Sequence, residues 1–455
     1  MKLNKIIFTA ALACAAGFAG AQTVTLKGNV DYTNYGVIQT FSKAGDADMK
    51  HTDPVAGLSD DAETVVDLNL KAANFEFNLG VKLNESAGDE GDNDYTDYTD
   101  GYDGTPFYQG NMKIGFFNDQ LNVYTGKFED FNAGYFAEGP VFGDQNIRYF
   151  ASSDMGQYYT ALNFTPYVVS GLKVLVGVPI LPVGGNGVQN TVGANMWKNL
   201  YKKINVAAGY TIPGTEFSVT AGWRPGTYYT GVKAYDASAV TTGDDGAFTK
   251  SAFGEAFLAS ELKGITEGLD LIFAADFRYR DAEYTKTDAT TATAFTYAGV
   301  FSAGANISLI EALPLQAELR VMYANDDYIK ADEKLLGGEL GVSGQHKLAG
   351  TNWALGFTLK GKYSVDACGT SYEGGEVSDI YFDDFDLGDL NCAASVAAGK
   401  SANYISAYAN PYVQYNLSNG YIRMGVEAQY SQIKNEDTSN MAISYRVPVG
   451  ICFNF

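Results

Sequence analysis

Polar and apolar positions alternate with a period of two along most of this chain. Between Met441 and Phe455 every odd position is apolar: Met441, Ile443, Tyr445, Val447, Val449, Ile451, Phe453 and Phe455. The even positions are Ala442, Ser444, Arg446, Pro448, Gly450, Cys452 and Asn454. Successive side chains of an extended backbone leave opposite faces, so this pattern predicts a strand with one apolar face. The segment is longer than the roughly 9–11 residues that cross a bilayer at a tilt. Pro448 cannot donate to a ladder, which predicts a bulge or an unpaired N–H site beside it. The alternation recurs upstream. Phe75, Phe77, Leu79, Val81 and Leu83 alternate with Glu76, Asn78, Gly80, Lys82 and Asn84, and Leu315, Ala317, Leu319, Val321 and Tyr323 with Gln316, Glu318, Arg320 and Met322. Equivalent runs start at Val24, Leu269, Trp353 and Ile422.

The links between these runs are short and long by turns. Short ones fall near Ala73-Asn74, Asn118-Asp119, Ser170-Gly171, Pro213-Gly214, Lys263 to Gly268, Glu311 to Pro314, Ala349-Gly350 and Ser418-Asn419. Long ones cover 36–61, 85–105, 129–156, 181–203, 225–250, 281–294, 325–334, 366–402 and 432–440. Short periplasmic turns that alternate with long extracellular loops describe a transmembrane antiparallel β-barrel, an all-β fold. The count is about eighteen strands, with sixteen as the alternative, and both termini lie on the periplasmic side.

The start of the chain supplies the compartment. Lys2 and Lys5, the apolar run Ile6 to Ala16 and the small residues Ala19-Gly20-Ala21 form a secretory signal peptide over residues 1–21. Residues 22–455 are then expected to form one barrel domain. Cleavage removes two lysines and no acid, which takes the net charge from −22 to −24. Beyond the signal no run of about 18 apolar residues exists, so no transmembrane helix is expected. The 51 Gly, 32 Tyr and 27 Phe suit a barrel whose strands each turn one apolar face to lipid.

The terminal strand resembles that of bacterial outer-membrane β-barrels of the porin type. In that family the last strand ends in an aromatic residue read by the barrel assembly machinery. Val449, Ile451, Phe453 and Phe455 match that signal here. The resemblance covers nearly all of the mature chain at the level of architecture. It implies an integral outer-membrane protein, surrounded by outer-membrane lipid, that passes small polar solutes and often trimerises. The first expected strand begins at Thr23, which leaves no length for an N-terminal plug, and a barrel of 16–18 strands without one encloses an aqueous channel. A surface adhesin or receptor that binds a partner through its acidic, Tyr-rich loops is the competing reading.

Candidate residues follow from the polar face. The wall-facing set is Lys27, Lys71, Glu76, Lys82, Lys113, Arg224, Asp276, Arg278, Glu318, Arg320, Lys360, Lys362, Arg423, Glu427 and Arg446. Solvated ion pairs that stiffen the wall are expected there. The third long loop carries Glu129, Asp130, Glu138, Asp144, Arg148 and Asp154. It either folds inward to narrow the lumen or stands up in solvent, and loop direction is not readable from the pattern. Two loops, Glu85 to Gly104 and Asp366 to Asp389, hold sixteen acids and no Lys or Arg. At the pore mouth they would favour cations. Asp92-Asn93-Asp94-Tyr95-Thr96-Asp97 lacks the spacing of a calcium loop, so no metal is expected. The net acidity excludes nucleic-acid binding. His51 and His346 fall at opposite ends of the expected barrel with no nucleophile motif, so no enzyme and no cofactor are expected. Cys368 and Cys392 share one acidic loop and can form a disulfide.

Overall fold

In the computed structural model the described residues are 23–58, 63–84, 107–127, 139–142, 158–179, 204–225, 248–285, 291–310, 312–325, 334–368, 401–434 and 439–455. The signal segment, Cys392 and most of both acidic loops lie outside them. The described chain is one antiparallel sheet closed on itself. It runs β1 (Thr23–Ala44), β2 (Lys50–His51), β3 (Val55–Leu58), β4 (Glu63–Ala72), β5 (Phe75–Asn84), β6 (Phe107–Phe116) and β7 (Leu121–Lys127). β8 (Tyr158–Phe164), β9 (Leu172–Pro179), β10 (Asn205–Thr211), β11 (Phe217–Pro225), β12 (Phe248–Thr266), β13 (Leu269–Thr285) and β14 (Thr291–Ile307) follow. The last third is β15 (Leu315–Asn325), β16 (Lys334–Lys347), β17 (Trp353–Cys368), β18 (Ser401–Leu417), β19 (Gly420–Gly425), β20 (Glu427–Lys434) and β21 (Ser439–Asn454).

Eighteen staves result. β2, β3 and β4 are pieces of one return strand along β1, and β19 and β20 are one strand interrupted at Val426. The interruption sits opposite Pro411, whose nitrogen has no hydrogen to donate. All eight expected short turns connect adjacent strands, and the first and last described residues, Thr23 and Phe455, lie at that rim.

Several long connections are shorter than the pattern suggested. β1 continues to Ala44 through most of the expected 36–61 loop, and β13 and β14 leave only 286–290 between them. β20 and β21 leave only 435–438, and Cys368 ends β17 instead of standing in a loop. The reason is physical. A ladder that rises above the membrane no longer needs an apolar face, so it continues after the alternation fades, as over Arg280-Asp281-Ala282-Glu283.

The faces separate cleanly. Leu319, Val321, Leu340, Leu355 and Leu359 are exposed on the outside, while Glu318, Arg320, Glu339 and Lys362 face inward on the same three strands, and Ile422, Met424 and Ile451 are exposed on β19 and β21. Trp353 packs edge-on against Tyr415 at the short-turn end, 5.0 Å between centroids, where an interfacial aromatic belongs. The bulge expected near Pro448 is present: Pro448 pairs with Tyr35, and the β1–β21 register shifts between Tyr35 and Ile38. The extra residue exchanges the faces of β1. Leu26 is exposed outside below it, and Phe41 pairs with outward Ile443 above it.

Closure ends on Phe455. Its N–H donates to the Gly28 carbonyl at 3.0 Å, and Gly28 N–H donates back at 2.8 Å. Its ring occupies the space a Cβ at Gly28 would need, as aromatics cover glycines elsewhere in sheets. Deleting Phe455, or introducing Gly28→Val, is expected to lower the amount of folded, heat-modifiable barrel in the outer membrane without reducing export across the inner membrane. Wild-type levels of both variants would remove that residue from barrel closure.

Candidate functional site

The inner wall is built from rows of residues set side by side by the strand register. One row is Gly304 on β14, Glu318 on β15, Gly341 on β16 and Lys360 on β17. The next row toward the long-loop rim is Ser302, Arg320, Glu339 and Lys362. Glu318 is 1% exposed, Arg320 4%, Glu339 2% and Lys362 5%. Arg320 Nε lies 3.3 Å from Glu318 Oε1, and its Nη1 lies 3.5 Å from Glu339 Oε2. Lys362 Nζ lies 3.3 Å from Glu339 Oε1. Two acids and two bases therefore neutralise one another away from water, which buried charges require.

A segment of the third long connection is seated on this wall. Val141 and Phe142 both donate their backbone N–H to Glu318 Oε2, at 3.0 and 2.9 Å. Ser302 Oγ donates to Glu318 Oε1 at 2.9 Å. The Phe142 ring lies under the Arg320 guanidinium, 4.4 Å from its centroid, with Lys360 Nζ at 5.4 Å. The neighbours of Glu318 are glycines for a steric reason. A Cβ at Gly304 would meet Pro140, and one at Gly341 would meet Val141 and the Phe142 ring. Gly139 itself lies against the Glu318 carboxylate. β7 is the fifth stave and β15 the thirteenth of the closed sheet, so residues 139–142 rest on the wall across the lumen from their own strands.

This decides between the two directions left open for the third loop, at least for its four described residues. Glu129, Asp130, Glu138, Asp144, Arg148 and Asp154 lie outside the described residues. The expectation of a solvated wall is corrected for Glu318, Arg320 and Lys362, because Phe142 and the charge network itself exclude water there.

Other wall residues form separate groups. Arg446 pairs with Glu427 and lies 4.4 Å from the Tyr35 ring centroid. Arg423 is held between the Tyr412 and Tyr421 rings, at 4.2 and 4.8 Å, and donates Nε and Nη2 to Gln414 Oε1. Glu76 accepts from Asn69 at 2.7 Å, and the register sets it between Lys71 and Lys113. Lys27 is paired in register with Asp67, and Asp276 is buried beside Val300. Lys82, Arg224 and Arg278 are placed by backbone register alone, with Arg224 opposite Glu255 and Glu255 opposite Arg278. The histidines are at opposite ends, His51 opposite Phe41 and His346 donating to the Ala312 carbonyl. Among the described residues no group of three His, Cys, Asp or Glu could hold a metal ion.

Sequence reasoning missed Glu339, Ser302 and the two glycines. Glu339 was accessible in principle, since Leu336, Gly338, Leu340 and Val342 alternate with Gly337, Glu339 and Gly341.

A closed sheet with an apolar outside and a charged inside can rest only in a membrane. The protein is a transmembrane antiparallel β-barrel. No protein-family model and no curated protein sequence matches the chain. Solved outer-membrane barrels do. The channel DcaP of Acinetobacter baumannii is 12% identical, with 96% of this chain and 98% of that one covered and a TM-score of 0.42. OpdQ of Pseudomonas aeruginosa is 10% identical over 94% and 98%, with a TM-score of 0.42. An anion-selective porin from Comamonas acidovorans is 10% identical over 95% and 99%, with a TM-score of 0.39. At such identities and scores these similarities add nothing to what the barrel's own geometry supports.

Proposed function

We propose that the barrel is a passive diffusion channel for small hydrophilic solutes, narrowed by the segment seated on Glu318. The observation that carries this reading is the polar inner face of a closed eighteen-strand sheet. A barrel of that strand number has room for water beyond its wall side chains. Trimer formation and reading of Phe455 by the assembly machinery belong to this proposal through the resemblance to porins.

Cation preference is the finer part of the proposal. The wall set holds more bases than acids, although Glu318, Arg320, Glu339 and Lys362 neutralise one another, so the lumen alone would favour anions. The opposing charge comes from the sixteen acids of the Glu85–Gly104 and Asp366–Asp389 segments. Clustered charge at a low-dielectric mouth concentrates cations over about 8 Å at physiological salt and about 30 Å at 0.01 M. The test is the reversal potential in a salt gradient, with wild type compared to a variant whose aspartates between Asp89 and Asp103 are asparagine. Wild type should select cations, more strongly in dilute salt, and the variant should lose much of that preference. Equal selectivity of the two at low salt would show that the loop charges do not set it. Anion preference of wild type would give the lumenal lysines and arginines the upper hand.

A further inference from the structure

The short-turn rim is unequal around the barrel. The turns after β4, β16 and β18 carry Ala73-Asn74, Ala349 to Asn352 and Ser418-Asn419 at their tips. These are small or polar residues, as water-facing turns usually are. The turns after β6, β8, β10 and β14 carry Phe117, Tyr167, Val168, Ile212, Leu309 and Ile310. Val168 is 92% exposed, Phe117 74%, and the other four between 47% and 64%. All of them belong to one arc of the rim, from β6 round to β15, in which the β12–β13 turn alone has a polar tip, Glu267-Gly268.

The arc is rigid. Tyr167 donates its hydroxyl to the Asn118 carbonyl, and Thr165 donates its N–H to the Gln120 carbonyl, which ties the first two turns together. Thr211 N–H donates to the Gly171 carbonyl at 2.9 Å, which ties the second turn to the third, and Ser308 N–H donates to the Gly268 carbonyl at 2.7 Å, which ties the last turn to the β12–β13 turn. Phe117 is held at φ 55, a left-handed conformation that bulky side chains rarely adopt, with its ring exposed. Bonded turns that hold large apolar groups outward are not shaped to bury them within the barrel.

We infer that this arc of turns is immersed in the headgroup and acyl boundary of the inner leaflet, while the β16–β5 arc stands in water. The occupant follows from continuity. Phe116 and Phe164 on the lipid-facing belt lead directly into Phe117 and the Thr165–Val169 turn, so at these two turns the apolar surface extends past the strand ends. A belt taller on one side seats the barrel deeper there, as hydrophobic mismatch requires. Tyr167 suits that depth, with an apolar ring and a hydroxyl.

Nitroxide labels on the full-length barrel in phospholipid vesicles test this. Val168→Cys and Ile310→Cys would be compared with Ala349→Cys and Ser418→Cys, each with Cys368, Cys392 and Cys452 changed to serine. Labels at 168 and 310 should collide with oxygen several-fold more, relative to a water-soluble nickel chelate, than labels at 349 and 418. Equal ratios at all four sites would overturn the inference. Shielding at 168 that appears only at high protein density would also overturn it, in favour of contact between protein molecules. Should the labelled barrels not refold, wild type in vesicles that contain a headgroup-level photoactivatable phospholipid gives the same reading. Adducts should then fall on 165–169 and 308–310 in preference to 349–352 and 418–419, and the reverse distribution would refute the placement.

Discussion

Replacing Glu318 by alanine is expected to free residues 139–142 from the wall and raise the single-channel conductance. The carboxylate accepts two backbone N–H groups of that segment. Hydrogen bonds to a charged group are worth about 1.5–3 kcal/mol each, so the seated population should fall relative to the free one by about a hundredfold or more. Open-channel noise should rise with the mean current, because a tethered segment that leaves its seat moves in and out of the lumen. Glu318→Gln keeps an acceptor of the same shape and should have a smaller effect in the same direction. Gly341→Leu reaches the same outcome by another route. Its side chain must take the space of Val141 and the Phe142 ring while Glu318 stays intact. Gly110→Ala is the control, since its Cβ would meet nothing nearer than Leu79 Cδ1 at 3.9 Å. Unchanged conductance in both Glu318→Ala and Gly341→Leu would mean that residues 139–142 do not limit the current.

The second large effect concerns stability. Glu339 neutralises Arg320 on one side and Lys362 on the other, and all three are nearly inaccessible. Glu339→Ala leaves two cations facing each other without water. Breaking a buried pair from one side typically costs about 3–5 kcal/mol. Urea unfolding in vesicles should show a loss of that order, with Phe142 in the seat or out of it. Glu339→Gln combined with Lys362→Met removes one charge of each sign and should recover a large part of the loss. A coupling energy near zero in that double-mutant cycle would show that the two residues do not act as a pair.

Much of this architecture could be read from period-two alternation, because one face of every membrane-crossing strand must be apolar. That constraint fixed the inward direction of Glu318, Arg320, Lys360 and Lys362 and the outward direction of Leu319 and Leu359. It also located the bulge at Pro448, since a missing donor has few places in a ladder. The constraint ends at the membrane surface, so the upper parts of β1, β13 and β14 read as loops. The seat of residues 139–142 was hidden for a different reason. It is made by backbone N–H groups, which every residue but proline has, and by absent side chains at Gly304 and Gly341. Those glycines mean something only once the register has set them on either side of Glu318. Which acids and bases pair was hidden too, because neighbours such as Arg320, Glu339 and Lys362 are brought together by register and not by spacing.

Single-channel recording of the purified wild-type barrel in planar bilayers tests the central claim most directly. A diffusion channel predicts discrete, long-lived steps whose conductance grows with salt concentration and whose current is close to linear in voltage. Bilayers that stay sealed after insertion of folded, heat-modifiable protein would contradict it.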